Sequence, residues 1–238
     1  MSSDSAQLGP TWALVPLKRT ADAKRRLGDL LDPEARRRLV LAMFEDVLAG
    51  LAAALTPDGL AGILVVTDDP AAASVAARYQ AQTLADPGPD AGTTRAVAAG
   101  LRALAERGAG AALVLPADLP LLTAGEIRLL LAGLHGRRRF VIVPARDGRG
   151  SNAVLMAPPD AMALVYDGDS VEPHLRSARQ AGLEPTVLHL TGIGLDIDTP
   201  ADLLALAAHP DRLESRTGRL LHQWRTEGRP FSGPRPRS

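Results

Sequence analysis

The chain has 238 residues with 27 basic and 27 acidic side chains, so no net field attracts nucleic acid or a membrane surface. It contains no cysteine, which excludes disulfides, thiolate zinc sites and cysteine nucleophiles. Hydrophobic residues make up 46% of the chain, enough for a sizeable core, yet no apolar run approaches the roughly 18 residues of a membrane span. The first ten residues lack a basic-then-apolar leader pattern, and we expect a cytoplasmic protein with no membrane or nucleic-acid partner.

Short apolar runs alternate with helical patterns along the chain. A first strand is predicted at 12–17, and a helix begins after Asp32, which caps the first turn ahead of Pro33. Further strands are predicted at 62–67, 82–84, 111–115, 140–143, 153–156 and 186–190. Further helices are predicted at 93–106, from 123, at 170–181 and from 198. This alternation predicts a single α/β domain whose mostly parallel sheet is flanked by helices on both faces.

Composition sets the expected domain limits. We expect a flexible N-terminus at 1–11 and one domain at 12–207. Arg, Gly, Pro and Ser become frequent after it, so 208–238 is predicted to be a partly disordered extension with a helical turn at 219–224.

Acids follow two apolar runs that would meet at one edge of such a sheet. Asp118 lies in Leu-Pro-Ala-Asp-Leu-Pro at 115–120, and Asp196 and Asp198 lie in Gly-Leu-Asp-Ile-Asp-Thr-Pro at 194–200. If the second segment is an extended strand, its two carboxylates point the same way and repel each other unless a cation lies between them. Three such carboxylates suit Mg²⁺. A turn aspartate at 118 and a helix cap at 198 are the structural alternatives.

A basic loop follows the first strand. Lys18, Lys24 and Arg26 would lie at the mouth of the same crevice, where they can neutralise a triphosphate and a departing pyrophosphate. A solvated basic turn is the alternative. The loop has neither the P-loop pattern nor Gly-x-Gly-x-x-Gly, so neither an ordinary P-loop nor a dinucleotide fingerprint is indicated.

Two later loops carry small polar side chains that suit an anion. The glycine-rich loop at 146–152 ends in Ser151 and Asn152, although an ordinary hairpin connection explains its glycines equally well. Ser170 is predicted at a helix start, a position that favours phosphate, and His174 follows one turn later on the same face. A lone histidine is more often structural.

Taken in order, these motifs resemble one family. They are Val-Pro-Leu-Lys at 15–18, Ala-Lys-Arg-Arg-Leu at 23–27, the runs at 115–122 and 144–153, Ser170 with His174, and 194–200. The set is similar to the 2-phospho-L-lactate guanylyltransferase family of coenzyme F-420 biosynthesis, over residues 12–207. The resemblance implies a nucleotidyltransferase domain of the glycosyltransferase-A, Rossmann-like type. It also implies transfer of GMP from GTP to the phosphate of 2-phospholactate, phosphoenolpyruvate or 3-phosphoglycerate, with release of pyrophosphate.

The resemblance further implies roles for the matching residues. The catalytic set would be Lys18, Lys24, Arg26 and Asp118. Magnesium would be held by Asp118, Asp196 and Asp198. The acceptor would be bound by Ser151, Asn152, Asp167, Ser170 and His174. The nucleotide would lie against Leu14, Val15, Thr67, Gly92 and Thr94.

The chain departs from the family pattern at three positions. Two threonines follow Gly92 where the family often has Leu-Asn, so Thr94 presents a hydroxyl in place of an amide, and Ser151 stands where threonine is frequent. The acceptor loop reads Tyr-Asp-Gly-Asp-Ser at 166–170 instead of Phe-Gly-x-Gly-Ser. Its extra aspartates would repel an anionic acceptor unless they point away or bind a metal or a hydroxyl. A hydroxyl-bearing acid such as 3-phosphoglycerate is therefore one hypothesis.

Other functions remain open at this stage. A CTP- or molybdopterin-linked nucleotidyltransferase would use the same fold, but the Gly-rich Leu-x-Gly-Gly loop typical of molybdopterin enzymes is absent at 15–18. A sugar transferase would use the Asp-x-Asp spacing of 196–198 and leave the basic loop unexplained. A nucleotide-binding module without turnover is the non-enzymatic alternative. We expect a homodimer, the commonest assembly of soluble enzymes.

Overall fold

The computed structural model describes residues 9–20, 24–88, 92–132 and 138–228. In these ranges the strands are β1 (Thr11–Pro16), β2 (Leu60–Val66), β3 (Gln82–Leu84), β4 (Ala111–Val114), β5 (Arg139–Pro144), β6 (Ser151–Ala157) and β7 (Pro185–Val187). The α-helices are α1 (Pro33–Ala52), α2 (Pro70–Arg78), α3 (Gly92–Glu106), α4 (Ala124–Leu131), α5 (Val171–Gln180), α6 (Pro200–Ala208) and α7 (Arg216–Thr226). Short 3-10 helices occupy Arg25–Leu27 and Pro210–Glu214.

All seven strands join one sheet in the order β3-β2-β1-β4-β6-β5-β7. Every pairing is parallel except the two made by β6, which runs antiparallel to β4 and β5. The chain moves outward from β1 to β2 and β3, and then returns to pair β4 with the other side of β1. The carboxyl ends of β1 and β4 therefore flank a topological switch point, where open α/β sheets bind ligands. The predicted mostly parallel α/β domain is confirmed.

Alternating side chains of the strands build a core on each face of the sheet. Ala13 and Val15 of β1 pack into one cluster with α1, α4, α6 and α7, while Leu14 packs into the other with α3 and α5. Each fully buried aliphatic side chain contributes about 1.5–3 kcal/mol. Gly100 of α3 lets the helix lie close on the sheet, since a Cβ there would meet Leu14 Cδ1 at 2.4 Å.

The helix starts follow the sequence signals. Asp32 Oδ1 accepts a hydrogen bond from the Ala35 N–H at 2.8 Å, and Thr123 with Glu126 closes a capping box at α4. The strand predicted at 186–190 is shorter, ending as β7 at Val187. Among the described residues, no helix combines the length and apolar character that a membrane span requires.

The region after 208 contributes α7, longer than the turn predicted at 219–224. Trp224 is 1% exposed within the cluster that includes α1. Asp46 of α1 accepts hydrogen bonds from the Arg216 N–H at 2.7 Å and from the Thr217 N–H at 2.9 Å, so α1 caps this helix. The expectations for 1–8 and 229–238 lie outside the described residues.

Candidate active site

A cleft of about 440 Å³ opens at the switch point. Its walls come from the ends of β1 and β4, the basic loop and the start of α3. The polar residues that line it are Lys18, Lys24, Arg25, Arg26, Thr93, Asp118 and Asp198. The structure thus brings the predicted catalytic residues together with one acid of the late motif, although these residues lie far apart in the sequence.

Lys24 lies at the centre of this cleft. Its backbone has φ 55°, a left-handed conformation that is uncommon outside glycine, directly before the 3-10 helix. Its Nζ donates to Asp118 Oδ2 and, at 2.6 Å, to Asp198 Oδ1. Burial alone lowers the pKa of Lys24, but the charges and hydrogen bonds of the two aspartates outweigh it and raise the pKa overall. Lys24 therefore remains an ammonium ion held by two carboxylates.

Asp118 has one oxygen committed and one available. Oδ2 accepts from Lys24, whereas Oδ1 is buried and has no hydrogen-bond partner among the described residues. A buried carboxylate oxygen left unpaired costs free energy, so the folded chain holds in place an oxygen suited to a cation or a donor from a ligand.

The segment at 194–198 differs from the sequence prediction, because it carries no strand. It is joined to the β4 loop by a hydrogen bond from the Ile197 N–H to the Asp118 backbone oxygen at 3.2 Å, too little for a ladder. As a result the two acids have different partners. Asp198 meets Lys24, while Asp196 Oδ1 accepts from Asn152 Nδ2 at 3.0 Å. Burial raises the pKa of Asp196, with the Asp118 and Asp198 charges adding to the rise.

The acids fit a divalent cation in their chemistry but not in their present spacing. Within the described ranges, no three His, Cys, Asp or Glu side chains are grouped closely enough to hold a metal ion. Lys24 lies between Asp118 and Asp198, the position that a cation shared by them would take. Asp118 Oδ1 nevertheless has no hydrogen-bond partner in the part of the chain that the structure describes.

A second cavity of about 230 Å³ adjoins the first and shares Arg26 and Asp198 with it. Arg146 and Arg149 of the β5–β6 hairpin loop line it together with Asp196. In the sequence these arginines are noticeable only as part of a glycine-rich loop. The sequence signal that could have identified them is that the two arginines flank Asp-Gly, so one tight turn carries two cations.

Three of the five predicted acceptor residues, Ser151, Ser170 and His174, form a neutral, buried network. Ser151 begins β6 and Ser170 precedes α5. Ser170 Oγ donates to Ser151 Oγ at 2.9 Å and accepts from the Ser151 N–H at 3.1 Å. His174 Nδ1 is 3.0 Å from Ser151 Oγ, and burial lowers the pKa of the ring to about 4. The Ser170 and Val171 N–H groups both donate to the Arg149 backbone oxygen. A ligand at this helix start would therefore meet the Ser170 hydroxyl and not these two amides.

The loop before α5 is fixed by Thr94, one of the departures from the family pattern. Thr94 Oγ1 accepts from the Tyr166 N–H at 2.9 Å and lies 3.5 Å from Asp167 Oδ1. Asp169, the other extra acid, lies 3.8 Å from Arg149 Nε. Both aspartates thus have partners within the protein.

The residues predicted to contact the nucleotide divide into two groups. Leu14 and Val15 are fully buried in β1, with their backbones paired to β2 and β4, so their side chains do not reach the cleft. Thr67 follows β2, and its hydroxyl accepts from the Asp69 N–H at 3.1 Å. Gly92 is exposed at the start of α3 with φ 69°, next to cleft-lining Thr93.

The chain is similar to known guanylyltransferases over most of its length. Residues 11–236 match the family described as "Guanylyl transferase CofC like". The phosphoenolpyruvate guanylyltransferase of Conexibacter woesei is 39% identical over 213 residues, covering 89% of this chain and 92% of that protein. The phosphoenolpyruvate guanylyltransferase of Sphaerobacter thermophilus is 39% identical over 199 residues, covering 84% and 93%.

Solved structures share the fold at lower identity. A Desulfovibrio desulfuricans G20 protein assigned as a nucleotide-diphospho-sugar transferase has a TM-score of 0.74 and 20% identity, covering 94% of this chain and 99% of that one. A Methanothermobacter nucleotidyl transferase has a TM-score of 0.63 and 17% identity, covering 86% and 98%. The family is shown by the full-length match and by relatives at 39% identity. The resemblance predicted from the motifs is thus confirmed: the chain belongs to the CofC-like guanylyltransferases, which transfer GMP in coenzyme F-420 biosynthesis.

Proposed function

We propose that this enzyme transfers GMP from GTP to the phosphate of phosphoenolpyruvate and releases pyrophosphate. The observation that carries the proposal is the cleft at the switch point, where a cationic loop faces Asp118 and Asp198. The relatives at 39% identity are named for this acceptor. A cytoplasmic location follows from the proposal, since GTP and phosphoenolpyruvate are cytoplasmic metabolites.

The cationic wall of the cleft suits a triphosphate. Lys18, Lys24 and Arg26 supply three positive charges, and α3 directs its N-terminus with Thr93 toward the same space. The positive end of the helix dipole favours an anion there. We assign these groups to the triphosphate of GTP and to the pyrophosphate that leaves.

We assign magnesium to Asp118, Asp196 and Asp198. The support is the unpaired Asp118 Oδ1 and the carboxylate-only donor set. When bound, the ion neutralises phosphate charge and brings donor and acceptor phosphates together. Lys24 must then release at least one aspartate, and its ammonium becomes available to the triphosphate.

The chemistry needs no nucleophile from the protein. A non-bridging oxygen of the acceptor phosphate forms a bond to the α-phosphorus, the bond from that phosphorus to the α,β-bridging oxygen breaks, and pyrophosphate leaves with the bonding pair. The acceptor phosphate is already ionised at neutral pH, so no general base is required. The side chains act by positioning the two phosphates in line and by neutralising charge.

Ser151, Asn152 and Ser170 are assigned to the acceptor. Asn152 Nδ2 bonds Asp196 Oδ1 at 3.0 Å, which joins the acceptor side to the acids. Asp169 lies 3.8 Å from Arg149 Nε, which compensates part of its charge, whereas Asp167 meets the neutral Thr94 hydroxyl at 3.5 Å. The choice of phosphoenolpyruvate as acceptor therefore rests on the names of the relatives.

The test is pyrophosphate release from GTP and Mg²⁺ with phosphoenolpyruvate, 2-phospholactate and 3-phosphoglycerate supplied separately. We expect release with phosphoenolpyruvate and a product with the mass of its guanosine diphospho derivative. A parallel reaction with CTP should be at least tenfold slower. Release only with another acid would move the acceptor assignment, and preferred use of CTP would overturn the nucleotide assignment.

A further inference from the structure

The hydroxyl pair Ser151–Ser170 and the ring of His174 form a chain of hydrogen bonds whose direction can be worked out. The three side chains are 7%, 3% and 1% exposed. His174 Nε2 lies 2.9 Å from the Val165 backbone nitrogen, which can only donate. Nε2 must therefore accept, so it carries no hydrogen and the neutral ring has its hydrogen on Nδ1.

This tautomer determines which hydrogen bonds Ser151 and Ser170 can make. Nδ1–H donates to Ser151 Oγ across 3.0 Å, so His174 cannot remove the Ser151 proton as a general base would. The lowered pKa of His174, caused by burial, agrees with a neutral ring near pH 7. The ring contacts Tyr166 edge-on at 5.1 Å between centroids, which further fixes its orientation.

A count of hydrogens then leaves one without an acceptor. Four hydrogens point into the pair: the Ser151 N–H, the His174 Nδ1–H and the two hydroxyl hydrogens. Ser170 Oγ accepts from the Ser151 N–H, and Ser151 Oγ accepts from His174 and from Ser170. The Ser151 hydroxyl hydrogen then has no acceptor among the described residues. If the two hydroxyls exchange roles, the Ser170 hydrogen becomes the unused one, so one donor is left over in either arrangement.

We propose that His174 is a positioning residue that compels the Ser151–Ser170 pair to offer one hydroxyl hydrogen to an anionic oxygen of the acceptor. With the opposite tautomer, Nδ1 would accept the Ser151 hydrogen and the pair would have no donor left. The Val165 N–H therefore fixes the tautomer of His174 and, through it, the hydrogen that the serine pair presents to the acceptor. This inference rests on the proposed function, because it takes the acceptor to be an anion bound at these serines.

Two substitutions at position 174 separate the two hydrogen bonds of the ring. Asparagine places an N–H donor at about the distance of Nδ1 from the backbone and so keeps donation to Ser151. Glutamine places its amide at about the distance of Nε2, so its carbonyl can still accept from the Val165 N–H, but donation to Ser151 is lost. We expect His174→Asn to change the KM for phosphoenolpyruvate less than threefold. His174→Gln leaves the spare serine hydrogen in place but removes the bond that fixes its orientation, so we expect it to raise this KM about threefold to tenfold. The KM for GTP should stay unchanged in both.

The controls separate positioning from folding. His222→Gln, an exposed position on α7, should leave every parameter unchanged. If His174→Asn and His174→Gln raise both KM values equally, in step with a loss of thermal stability, His174 is only structural and the proposal is wrong. The wild-type protein gives an independent check, since ¹⁵N NMR of the imidazole should report a hydrogen on Nδ1. A hydrogen on Nε2 would overturn the proposal.

Failure of the proposed function has a different signature. In that case the wild-type enzyme does not turn over GTP with any phospho-acid, and the inference falls with it. Wild-type turnover with phosphoenolpyruvate combined with equal effects of the two substitutions would reject the inference alone.

Discussion

The two sides of the candidate active site are held together by different interactions, ion pairs on one side and hydrogen bonds between neutral groups on the other. On the side assigned to GTP, Lys24, Asp118 and Asp198 hold one another by charge across 94 and 174 residues of sequence, and the Asp198 side chain is 47% exposed. On the side assigned to the acceptor, Ser151, Ser170 and His174 are buried, neutral and joined by hydrogen bonds of fixed direction.

The difference indicates which side must change when substrates bind. The Asp198 end of the ion-pair set is half exposed, so water and incoming charges compensate there for a contact that is lost. Lys24 and Asp118 are largely buried, so they exchange partners only when an incoming charge replaces the one that leaves. A buried hydrogen-bond network has no such compensation, so it acts as a fixed template. We infer that the charged side rearranges around GTP and a metal, while the neutral side is ready before the acceptor arrives.

The strongest test of the charged side is Asp198→Asn. The amide is a poor magnesium ligand and a weaker partner for Lys24, so we expect kcat/KM to fall at least 10³-fold, comparable to other losses of transition-state electrostatics. The side chain is half exposed, so the melting temperature should change little. Steady-state pyrophosphate release and a thermal melt measure the two effects. Asp58→Asn, in an exposed loop, is the matched control, and normal activity of folded Asp198→Asn would remove Asp198 from the site.

Lys24→Met tests whether the ammonium and a metal compete. We expect about a 10²-fold loss in kcat/KM for GTP together with a roughly tenfold tighter binding of Mn²⁺ in the absence of nucleotide, because a positive charge beside the carboxylates is removed. Calorimetric titration with Mn²⁺ measures the second effect. The matched control is Arg26→Met, since none of the described contacts joins Arg26 to the aspartates. Equal tightening in both variants would indicate a general field effect instead of competition.

Most of the fold could be predicted from the sequence because its signals are local. Caps such as Asp32 and Thr123 and the apolar runs depend on neighbouring residues, and the elements predicted from these signals have counterparts in the structure. The strand implied at 194–198 was wrong, since alternating side chains favour an extended segment but cannot supply a partner strand. Only tertiary structure reveals that this segment bonds the β4 loop at Ile197.

The sequence predicted which charged residues meet in the cleft but not which of them are partners. Sequence order and residue type led to Lys24, Asp118 and Asp198, yet neither indicates that the lysine lies between the two acids. Arg146 was missed because its cavity is formed by residues 26, 196 and 198 from other elements. The direction of the His174 hydrogen bonds depends on one N–H at Val165, which no side-chain pattern reports.

The neutral side predicts a pH dependence of stability. The pKa of His174 falls from an unfolded value near 6.5 to about 4 in the folded protein, so the unfolded chain binds more protons between these values. Stability is therefore fully present above pH 6.5 and is lost as pH falls toward 4, by up to about 3 kcal/mol. Tyr166 is the titratable group against the ring, and burial raises its pKa, so it stays neutral throughout. Urea unfolding of the wild type and His174→Asn from pH 7 to 4 should show this loss only in the wild type. A parallel decline in both would assign the loss to other groups.

The smallest expected effect concerns Thr94, where the chain departs from its family. Its hydroxyl accepts from the Tyr166 N–H at 2.9 Å and so fixes the loop that leads to Ser170. Thr94→Val keeps the shape but leaves that N–H without its acceptor, and we expect a threefold to tenfold rise in the KM for phosphoenolpyruvate with kcat nearly unchanged. Thr94→Ser keeps the acceptor and should behave as wild type. If Thr94→Val instead raises the KM for GTP, this side chain belongs to the nucleotide pocket, and the boundary between the charged and neutral sides lies beyond α3.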